Sequence, residues 1–494
     1  MGDISKELEK NEKKIKNLCT DCADIIQKKM KIGKKKQVNC LLVYVESAIS
    51  NLIMQDSALG KLLVQLEEME DEKIIPSISE NALGMADTAQ FSDLSGGMSA
   101  MLAGNALLLI DGYDKAIKIG TKGYPGLGVS KSESEKVLRG SNESFTESEK
   151  INSALIRKRI RDTRLKVKEK PVGQHSHTMT ALVYLEDLAY PNLVKKMEQE
   201  LEAFEIDGVM DSGVIEQVTK ETWYSPFPQY QTTERPDKAA MAILEGRIVL
   251  LSDNSPQALI LPTTYHSFFQ TPDDYYSHFL MVTFLRLLRY AAAFLAISLP
   301  GLYLAVTNFH TQILPTNLIL SLSMAREGVP FPGVVEVILL EISFELLREA
   351  GIRMPGQIGN TIGIVGGLII GQAAVTANLV SPMVVIIVAM TALSSFSIPN
   401  EELAEACRLV KFGVILCCSF FGIAGFVFAW FLLLSHLARL KSFGIPYFMP
   451  FVSDEINQMA GWKDSVIKLP PWMMKKRPVF ARRGERIRFR WKEK

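Results

Sequence analysis

Hydrophobic and charged residues divide this chain of 494 residues into three parts. Charges occur throughout residues 1–289, long apolar runs dominate residues 290–438, and the remaining residues are polar and basic. The longest run without Asp, Glu, Lys or Arg is Met354–Asn400. One crossing of a bilayer takes about 20 apolar residues. This run therefore predicts two crossings, and Pro382 predicts the bend between them.

The other apolar runs predict further crossings. Tyr290–Thr307 predicts one, and Phe412–Ala438, which has no charged side chain, predicts the last. Phe309–Ala325 is short and contains a proline, and Val334–Ala350 carries charges. Each of these two is interpreted either as a crossing or as a helix at the membrane surface. The fold class predicted is an α/β cytoplasmic region of two similar subdomains plus an α-helical polytopic membrane domain with four to six crossings.

Charged side chains in segment 334–350 are the candidates for a functional site. Four of them fall within about 100° of a helix surface, and the fifth, Glu336, lies outside this arc. In a ring of subunits the acidic stripe would repeat around an axis, and rings of carboxylates attract cations. The alternative is a helix lying flat at the membrane surface with ordinary ion pairs. The pore or selectivity candidates are Glu336, Glu341, Glu345, Arg348 and Glu349.

Uncharged polar residues and glycines mark the run that follows. Amides and hydroxyls in a membrane span form hydrogen bonds between helices or line a wet path. The candidates for this role are Gln357, Asn360, Thr361, Gln372 and Asn378. Two overlapping G-x-x-x-G spacings predict helix packing through Gly363, Gly367 and Gly371.

Two segments of the charged part repeat the same order of elements. Leu41–Glu46 and Thr180–Glu186 are apolar runs typical of buried strands. Each is followed by an amphipathic helix and then by a predicted hairpin, around Gly112 in the first copy and around residues 254–256 in the second. The offset is 140 residues at the strand and 142 at the hairpin. Such a constant offset predicts two copies of one α/β unit.

Two basic segments lie outside the predicted strands. Ile151–Leu165 is interpreted as a solvated helix that bridges subdomains or subunits or faces anionic lipid, since no aromatic residues are interleaved for base stacking. From Arg439 to the end there are 14 Lys or Arg against 5 Asp or Glu. This tail follows an apolar run directly, so the positive-inside rule favours a cytoplasmic tail over nucleic-acid binding.

Composition and charge together predict five parts and both termini in the cytoplasm. The N-terminus is charged and has no apolar signal segment. The predicted parts are a first α/β subdomain (1–125), a charged helical connector (126–177), a second α/β subdomain (178–285), a transmembrane domain (286–438) and a basic cytoplasmic tail (439–494).

Four classes of function remain: an oligomeric cation channel, a secondary transporter, a non-conducting scaffold and an enzyme. A transporter predicts inverted membrane repeats with broken helices, and the two halves show no such symmetry. An enzyme is disfavoured because the sequence has no P-loop, no paired metal ligands and no nucleophile beside a base. No cofactor or metal is expected, and the six cysteines do not form a disulfide framework.

Several long motifs indicate a family. Ser225–Lys238 reads SPFPQYQTTERPDK, Arg326–Pro332 reads REGVPFP, and Phe344–Gly359 reads FELLREAGIRMPGQIG. Together with RGSNESFTES at 139–148, DDYY at 273–276 and IIGQAAVTANLVSP at 369–382, they resemble the A-subunit family of bacterial spore germinant receptors. Residues 139–143 depart from the family pattern, which has Pro and Arg where this chain has Ser141 and Asn142.

The resemblance implies a multi-pass subunit in the inner membrane of an endospore. It implies a homo-oligomer, a pentamer, around a gated channel for monovalent cations whose opening starts germination. The implied partners are a transporter-like B subunit, a lipoprotein C subunit and membrane lipid, with no nucleic acid. The alternative is a non-conducting signalling scaffold, or a transporter-associated subunit of the same receptor.

Overall fold

The chain is organised in two compact units. The computed structural model describes residues 2–32, 37–49, 88–124, 135–137, 139–353, 367, 370–452, 462–470, 472–482, 484 and 487–489. The α/β unit comprises Met1–Trp223, Gln229–Thr263 and Pro470–Lys494, and the helical unit comprises Tyr224–Pro228 and Thr264–Leu469.

The first half of the α/β unit is a five-stranded antiparallel sheet with the strand order β1-β2-β4-β5-β3. Alternate residues of β2 face opposite sides: Leu41 and Val43 pack against α1 and α2, and Leu42 packs in a second cluster. The described elements are α1 (Leu8–Leu18), β1 (Ile25–Ile32), β2 (Val38–Val45), β3 (Thr88–Phe91), α2 (Leu94–Leu102), β4 (Ala106–Ile110) and β5 (Ala116–Ile119).

The second half repeats this arrangement, with the strand order β6-β7-β9-β10-β8. The offset is 140 residues from Val38 to Thr178 and 142 from Ala106 to Ile248. The repeated strand order and both predicted hairpins are therefore confirmed, whereas the helix predicted after the first strand, at 59–72, lies outside the described residues. The elements are α3 (Glu149–Arg159), β6 (Leu165–Val172), β7 (Thr178–Leu185), α4 (Pro191–Glu202), α5 (Ser212–Thr219), β8 (Gln231–Thr233), α6 (Pro236–Leu244), β9 (Ile248–Ser252) and β10 (Ala258–Leu261).

A buried ion pair joins the two copies. The guanidinium of Arg157 on α3 donates two hydrogen bonds of 2.7 Å to the carboxylate of Asp24, just before β1. Neither side chain is more than 5% exposed. Beside this pair, the backbone N–H of Ala23 donates to Val167 O at 3.0 Å. Losing one partner of such a buried pair costs about 3 to 5 kcal/mol, so the copies are strongly coupled.

The helix predicted over Ile151–Leu165 does bridge the two copies, through Arg157, but the prediction that it is solvated is wrong. Helix α3 ends at Arg159, and its apolar side packs in the core of the second sheet. The offset from α1 to α3 is 141 residues, so α3 is the first helix of the second copy. Its other basic groups are also paired: Lys158 lies 2.6 Å and Arg159 2.7 Å from Glu143, and Lys150 lies 3.0 Å from Glu46 of the first copy. The many charges of α3 predicted an exposed helix. The helix is buried because tertiary contacts neutralise those charges.

Part of the basic tail packs inside the α/β unit. Phe480 and Ala481 are buried, and the guanidinium carbon of Arg247 lies 4.0 Å from the centre of the Phe480 ring, a cation–π contact. The backbone N–H of Arg482 donates to Leu188 O at 3.0 Å. The compact units thus divide the predicted tail, 439–494, after Leu469, because an aromatic anchor within it has a place in the second copy.

The helical unit holds the apolar segments. Helix α11 begins at Pro382 after the N-cap Ser381, which confirms the predicted bend, since proline favours the first helical position. Only α8 and α12, among the described residues, are long and apolar enough to cross a membrane by length and composition. The elements are α7 (Asp273–Tyr276), α8 (Phe279–Phe309), α9 (Thr316–Ala325), α10 (Gly333–Arg353), α11 (Pro382–Phe396), α12 (Glu401–Arg439), β11 (Lys441–Ser442), β12 (Ile445–Pro446) and α13 (Trp462–Ser465).

We expect Gly246→Ala to release the tail segment around Phe480. A Cβ on Gly246 would lie 2.6 Å from Ala481 Cα and 2.8 Å from Phe480 O. Trypsin should then cleave at Lys475–Arg477 several-fold faster in the purified full chain. Gly444→Ala is the matched control, because Gly444 also has a positive φ but no neighbouring atom within 4 Å among the described residues. Equal cleavage of both variants would contradict the docking.

Glu149, at the start of α3, is a buried carboxyl group. It is 1% exposed, and its Oε1 accepts no hydrogen bond from the described residues. Burial, and then the nearby carboxylates of Glu169 and Asp253, raise the pKa of Glu149 to about 8. The folded chain therefore holds a proton that the unfolded chain releases near its ordinary value of 4.5.

This raised pKa predicts a pH dependence of stability. The contribution of Glu149 is fully present below about pH 4.5 and is lost as the pH rises through about 8. We expect Glu149→Gln to flatten the fall in Tm of the full chain across that window. The exposed neighbour Glu147 supplies the control, and Glu147→Gln should keep the original slope. An unchanged slope in Glu149→Gln would show that this carboxyl does not hold the proton.

Candidate functional site

Helix α12 is interrupted at Gly422, inside the uncharged run 412–438. This glycine has φ +58° and ψ −136°, far from helical values. In a straight helix Gly425 would lie about 12 Å beyond Cys417 along the axis. Instead, a Cβ on Gly425 would meet the carbonyl oxygen of Cys417. The chain therefore folds back at Gly422.

Contacts beyond the ends of α12 agree with this reversal. Tyr447, whose N–H donates to Leu440 O at 2.9 Å, lies within electrostatic range of Glu402 and Cys407. The ends of a straight helix of this length would be about 58 Å apart. Helix α12 is thus two antiparallel arms, a first arm (401–421) and a second arm (423–439). This corrects the prediction of one continuous crossing over Phe412–Ala438.

Helix α8 packs against both arms. A Cβ on Gly301 would lie 3.0 Å from Cys418 Sγ, so glycine permits close approach to the first arm. The indole N–H of Trp430, on the second arm, donates to Ser298 Oγ at 3.0 Å. These contacts fix the first arm, which carries the basic residues described next.

The centre of the site is an ion pair buried among apolar helices. Lys411 Nζ, on the first arm, lies 2.5 Å from Glu341 Oε2 on α10. The two side chains are 4% and 1% exposed. Val337 and Ile415, their neighbours along each helix, belong to one apolar cluster. A charge in such surroundings is costly unless it is paired, so each helix depends on the other.

Further charges extend this pair into a ladder. Lys411 Nζ is also 3.7 Å from Glu345 Oε1, and Arg408 Nε is 4.0 Å from Glu345 Oε2. Arg348, 3.1 Å from Glu345, lies within electrostatic range of Glu405 on the first arm. Numbers rise along α10 while they fall along the first arm. The two helices are therefore antiparallel, and their charges meet in successive rungs.

Glu336 anchors the beginning of α10 elsewhere. It is fully buried, and its Oε2 accepts a hydrogen bond of 2.7 Å from the backbone N–H of Ser381. Its Oε1 lies 3.3 Å from Arg326 Nη2. This explains its predicted place outside the acidic stripe, because it faces the N-terminus of α11.

The structure separates the predicted pore candidates by exposure. Glu336 and Glu341 are buried against helices of their own chain, so neither faces open space here. Glu345 and Arg348 are 24% and 20% exposed, whereas Glu349 is 57% exposed and pairs with Arg353 at 2.6 Å. A role of these residues in a pore stays a prediction.

The polar and glycine candidates that the structure describes lie at exposed or open positions. Gln372 and Asn378 are exposed. A Cβ on Gly367 would meet no atom within 4 Å among the described residues, and one on Gly371 would meet only Val385 at 3.7 Å. The described residues therefore do not pack closely against Gly367 or Gly371. Packing of these glycines against other copies of the chain stays a prediction. Four further candidates lie outside the described residues, namely Gln357, Asn360, Thr361 and Gly363.

Sequence reasoning missed the basic half of the ladder. Lys411 and Arg408 were not among the predicted site residues, yet they neutralise the acidic stripe. A signal was present, since they are the last charges before the uncharged run 412–438 and their spacing of three places them on one helix face. What sequence does not supply is the partner helix.

Comparison with known proteins identifies relatives of this chain. Residues 13–480 match the family model for the Bacillus/Clostridium GerA spore germination protein. The uncharacterized membrane protein YfkQ of Bacillus subtilis is 38% identical, over 97% of this chain and 92% of that protein. Spore germination protein KA of Bacillus subtilis is 35% identical, over 98% and 88%.

One crystal structure is also similar. It is the N-terminal domain of the A subunit of the Bacillus megaterium spore germinant receptor GerK3, 27% identical with a TM-score of 0.41, covering 52% of this chain and 95% of that one. Fold and site define a chain that joins a duplicated α/β unit to apolar, ion-paired helices. The chain belongs to the GerA family of spore germination proteins.

We expect Lys411→Met to destabilise the protein more than Glu341→Gln. The first change leaves two acidic side chains, Glu341 and Glu345, without this cation, at a cost of about 3 to 5 kcal/mol. The second leaves Lys411 with Glu345 as a partner. Thermal unfolding of the full chain in detergent measures the order.

The double variant Glu341→Met/Lys411→Met is the control, because it removes both charges together. It should recover most of the Tm lost in Lys411→Met. A double variant as unstable as Lys411→Met would mean that side-chain shape, and not charge, dominates at this position.

Proposed function

We propose that this chain is a membrane subunit of a spore germinant receptor that forms an oligomeric, gated channel for monovalent cations. It would lie in the inner membrane of the endospore as a multi-pass protein with both termini in the cytoplasm, and opening would trigger germination. The observation that carries the proposal is the ion-pair ladder between α10 and α12. Ionisable groups among apolar helices are costly and commonly mark ion pathways or the elements that control them.

The candidate pore residues lie in the second half of α10. Glu349 is exposed and Glu345 partly so, and carboxylates repeated around an axis attract cations. Glu336 and Glu341 are assigned the different task of holding α10 against its own chain. Gly367, which has open space around it among the described residues, is assigned to contacts between copies.

The partners follow from the family. Relatives of this chain are named spore germination proteins. We propose a homo-oligomer, a pentamer, that works with a transporter-like B subunit and a lipoprotein C subunit. It would act as a receptor subunit and not as an enzyme.

A second candidate is a non-conducting signalling subunit of the same receptor. The observation in its favour is that the central charges of the ladder are already paired within one chain. A ladder used only as a brace would transmit movement without lining a path for ions.

Potassium release from spores carrying Glu349→Gln tests the channel proposal. Removing the most exposed carboxylate of α10 should slow release about tenfold if a ring of these groups attracts cations. Glu401→Gln, at an exposed carboxylate in the first turn of α12, is the control and should release potassium normally. Protein levels are compared by immunoblot. Normal release from Glu349→Gln at normal protein level would favour the signalling subunit.

A further inference from the structure

Helix α10 repeats its charge pattern at intervals of one turn. Glu341, Glu345 and Glu349 are spaced by four residues, and the last two each hold an arginine further along α10, Arg348 and Arg353. In the structure the first two glutamates face Lys411 and Arg408 of the first arm. The third pair, Glu349 with Arg353, is exposed, and Glu349 lies within electrostatic range of a like charge, Glu405, instead of a cation of the first arm.

Sliding α10 by one turn along the first arm would form the ladder again. Because the helices are antiparallel, Glu345 would take the place of Glu341 beside Lys411, and Glu349 would take the place of Glu345 beside Arg408. The structure already holds Lys411 between both choices, at 2.5 Å from Glu341 and 3.7 Å from Glu345. One-turn steps between packed elements are a known form of two-state transition.

The third rung would be replaced as well. Arg353 would take the place of Glu349, which, like Arg348, lies within electrostatic range of Glu405. Both registers thus place a carboxylate of α10 beside Lys411 and beside Arg408, and the slid register brings Arg353 towards Glu405. Lys411 and Arg408 keep a partner in both registers, whereas Glu341 would move to the place of Val337 in the apolar cluster. The slid register therefore carries the cost of one buried carboxylate without its cation.

One contact belongs to the observed register alone. Glu336 accepts the N–H of Ser381 at 2.7 Å, and the residue one turn further along α10 is Leu340, which cannot accept this hydrogen bond. The observed register is therefore the preferred one. A slide must detach this anchor, and this would be the step that a signal has to drive.

The second half of α10 is less buried than the first. All buried residues of α10 lie between Gly333 and Glu341. Beyond Glu341, Phe344 packs against the apolar cluster and lies 6.1 Å from Phe396 of α11 between ring centres, and polar pairs hold the remaining turns. A helix anchored at one end, with carboxylates repeated every turn along the rest, meets matching cations at two positions one turn apart.

We propose that α10 and the first arm form a two-register ion ladder, and that a one-turn slide of α10 is the conformational step between the closed and open states. The link to opening rests on the proposed channel function, whereas the slide itself does not. The observed register is the closed one.

Distances between spin labels test the slide in the full chain. Labels at Ile342 and Ile352 are each paired with one at Leu409, three exposed positions, after replacement of the six free cysteines. Glu341→Gln removes the anion of the observed register and leaves Glu345 for Lys411. We expect the 342 to 409 distance to lengthen and the 352 to 409 distance to shorten, each by up to about 5 Å, the rise of one turn.

Two results would overturn the ladder. One is that Glu341→Gln accumulates normally and neither distance changes. The other is that both distances lengthen, since this means separation of the helices and not a slide. Lys6→Gln, at an exposed residue of the α/β unit, is the control and should leave both distances unchanged.

The exchange Glu341→Lys with Lys411→Glu provides a second variant should Glu341→Gln fail to accumulate. In the observed register, the carboxylate at position 411 lies near Glu345, but the lysine introduced at position 341 pairs with it. The slid register would move that lysine away and leave the two carboxylates together. We expect normal protein levels, unchanged label distances and at least tenfold slower triggered potassium release. Normal release from this variant would overturn the ladder, because a static brace tolerates the exchange.

Channel and ladder fail in different ways. If Glu341→Gln shifts the two distances in opposite directions while the wild-type chain releases no potassium, the slide stands and the channel proposal fails. If the wild type releases potassium and Glu341→Gln raises untriggered release without moving either distance, the channel proposal stands and the ladder fails.

Discussion

The helical unit depends on the cost of placing a charge among apolar side chains. Lys411 and Glu341 are both buried, and neither would be stable there without the other. This requirement sets which face of α10 meets α12, and the next pair along the two helices, Glu345 with Arg408, makes them antiparallel. It also leaves Glu345 close to the same cation, so a second carboxylate of α10 is available to pair with Lys411.

The α/β unit is built on the same constraint. Arg157 and Asp24 are buried as a bidentate pair between two copies of one fold, and the strand segments beside them exchange backbone hydrogen bonds. Duplication alone would give two independent domains. The buried pair makes them one body, and the docked tail around Phe480 brings the end of the chain to the second copy.

The degree to which sequence predicted this protein varies with the element. The duplication was predictable because apolar strands such as Leu41–Glu46 recur at constant offset, and the bend at Pro382 because proline acts locally. The ladder was half predictable: the acidic stripe on α10 follows from helical periodicity. Its basic partners did not follow, since Lys411 is 70 residues from Glu341 in the chain and only packing brings them together.

The sequence by itself determined three features: the division into charged and apolar regions, the repeated strands, and the charged character of α10. Each of these depends on residues that are close in the chain. Tertiary structure alone decided that α12 folds back at Gly422, that the basic helix α3 is buried, and that Glu341 is paired instead of exposed. Hydropathy cannot separate one long apolar helix from two arms, since both bury the same residues. Whether a charge is free or paired depends on a contact between segments distant in the chain.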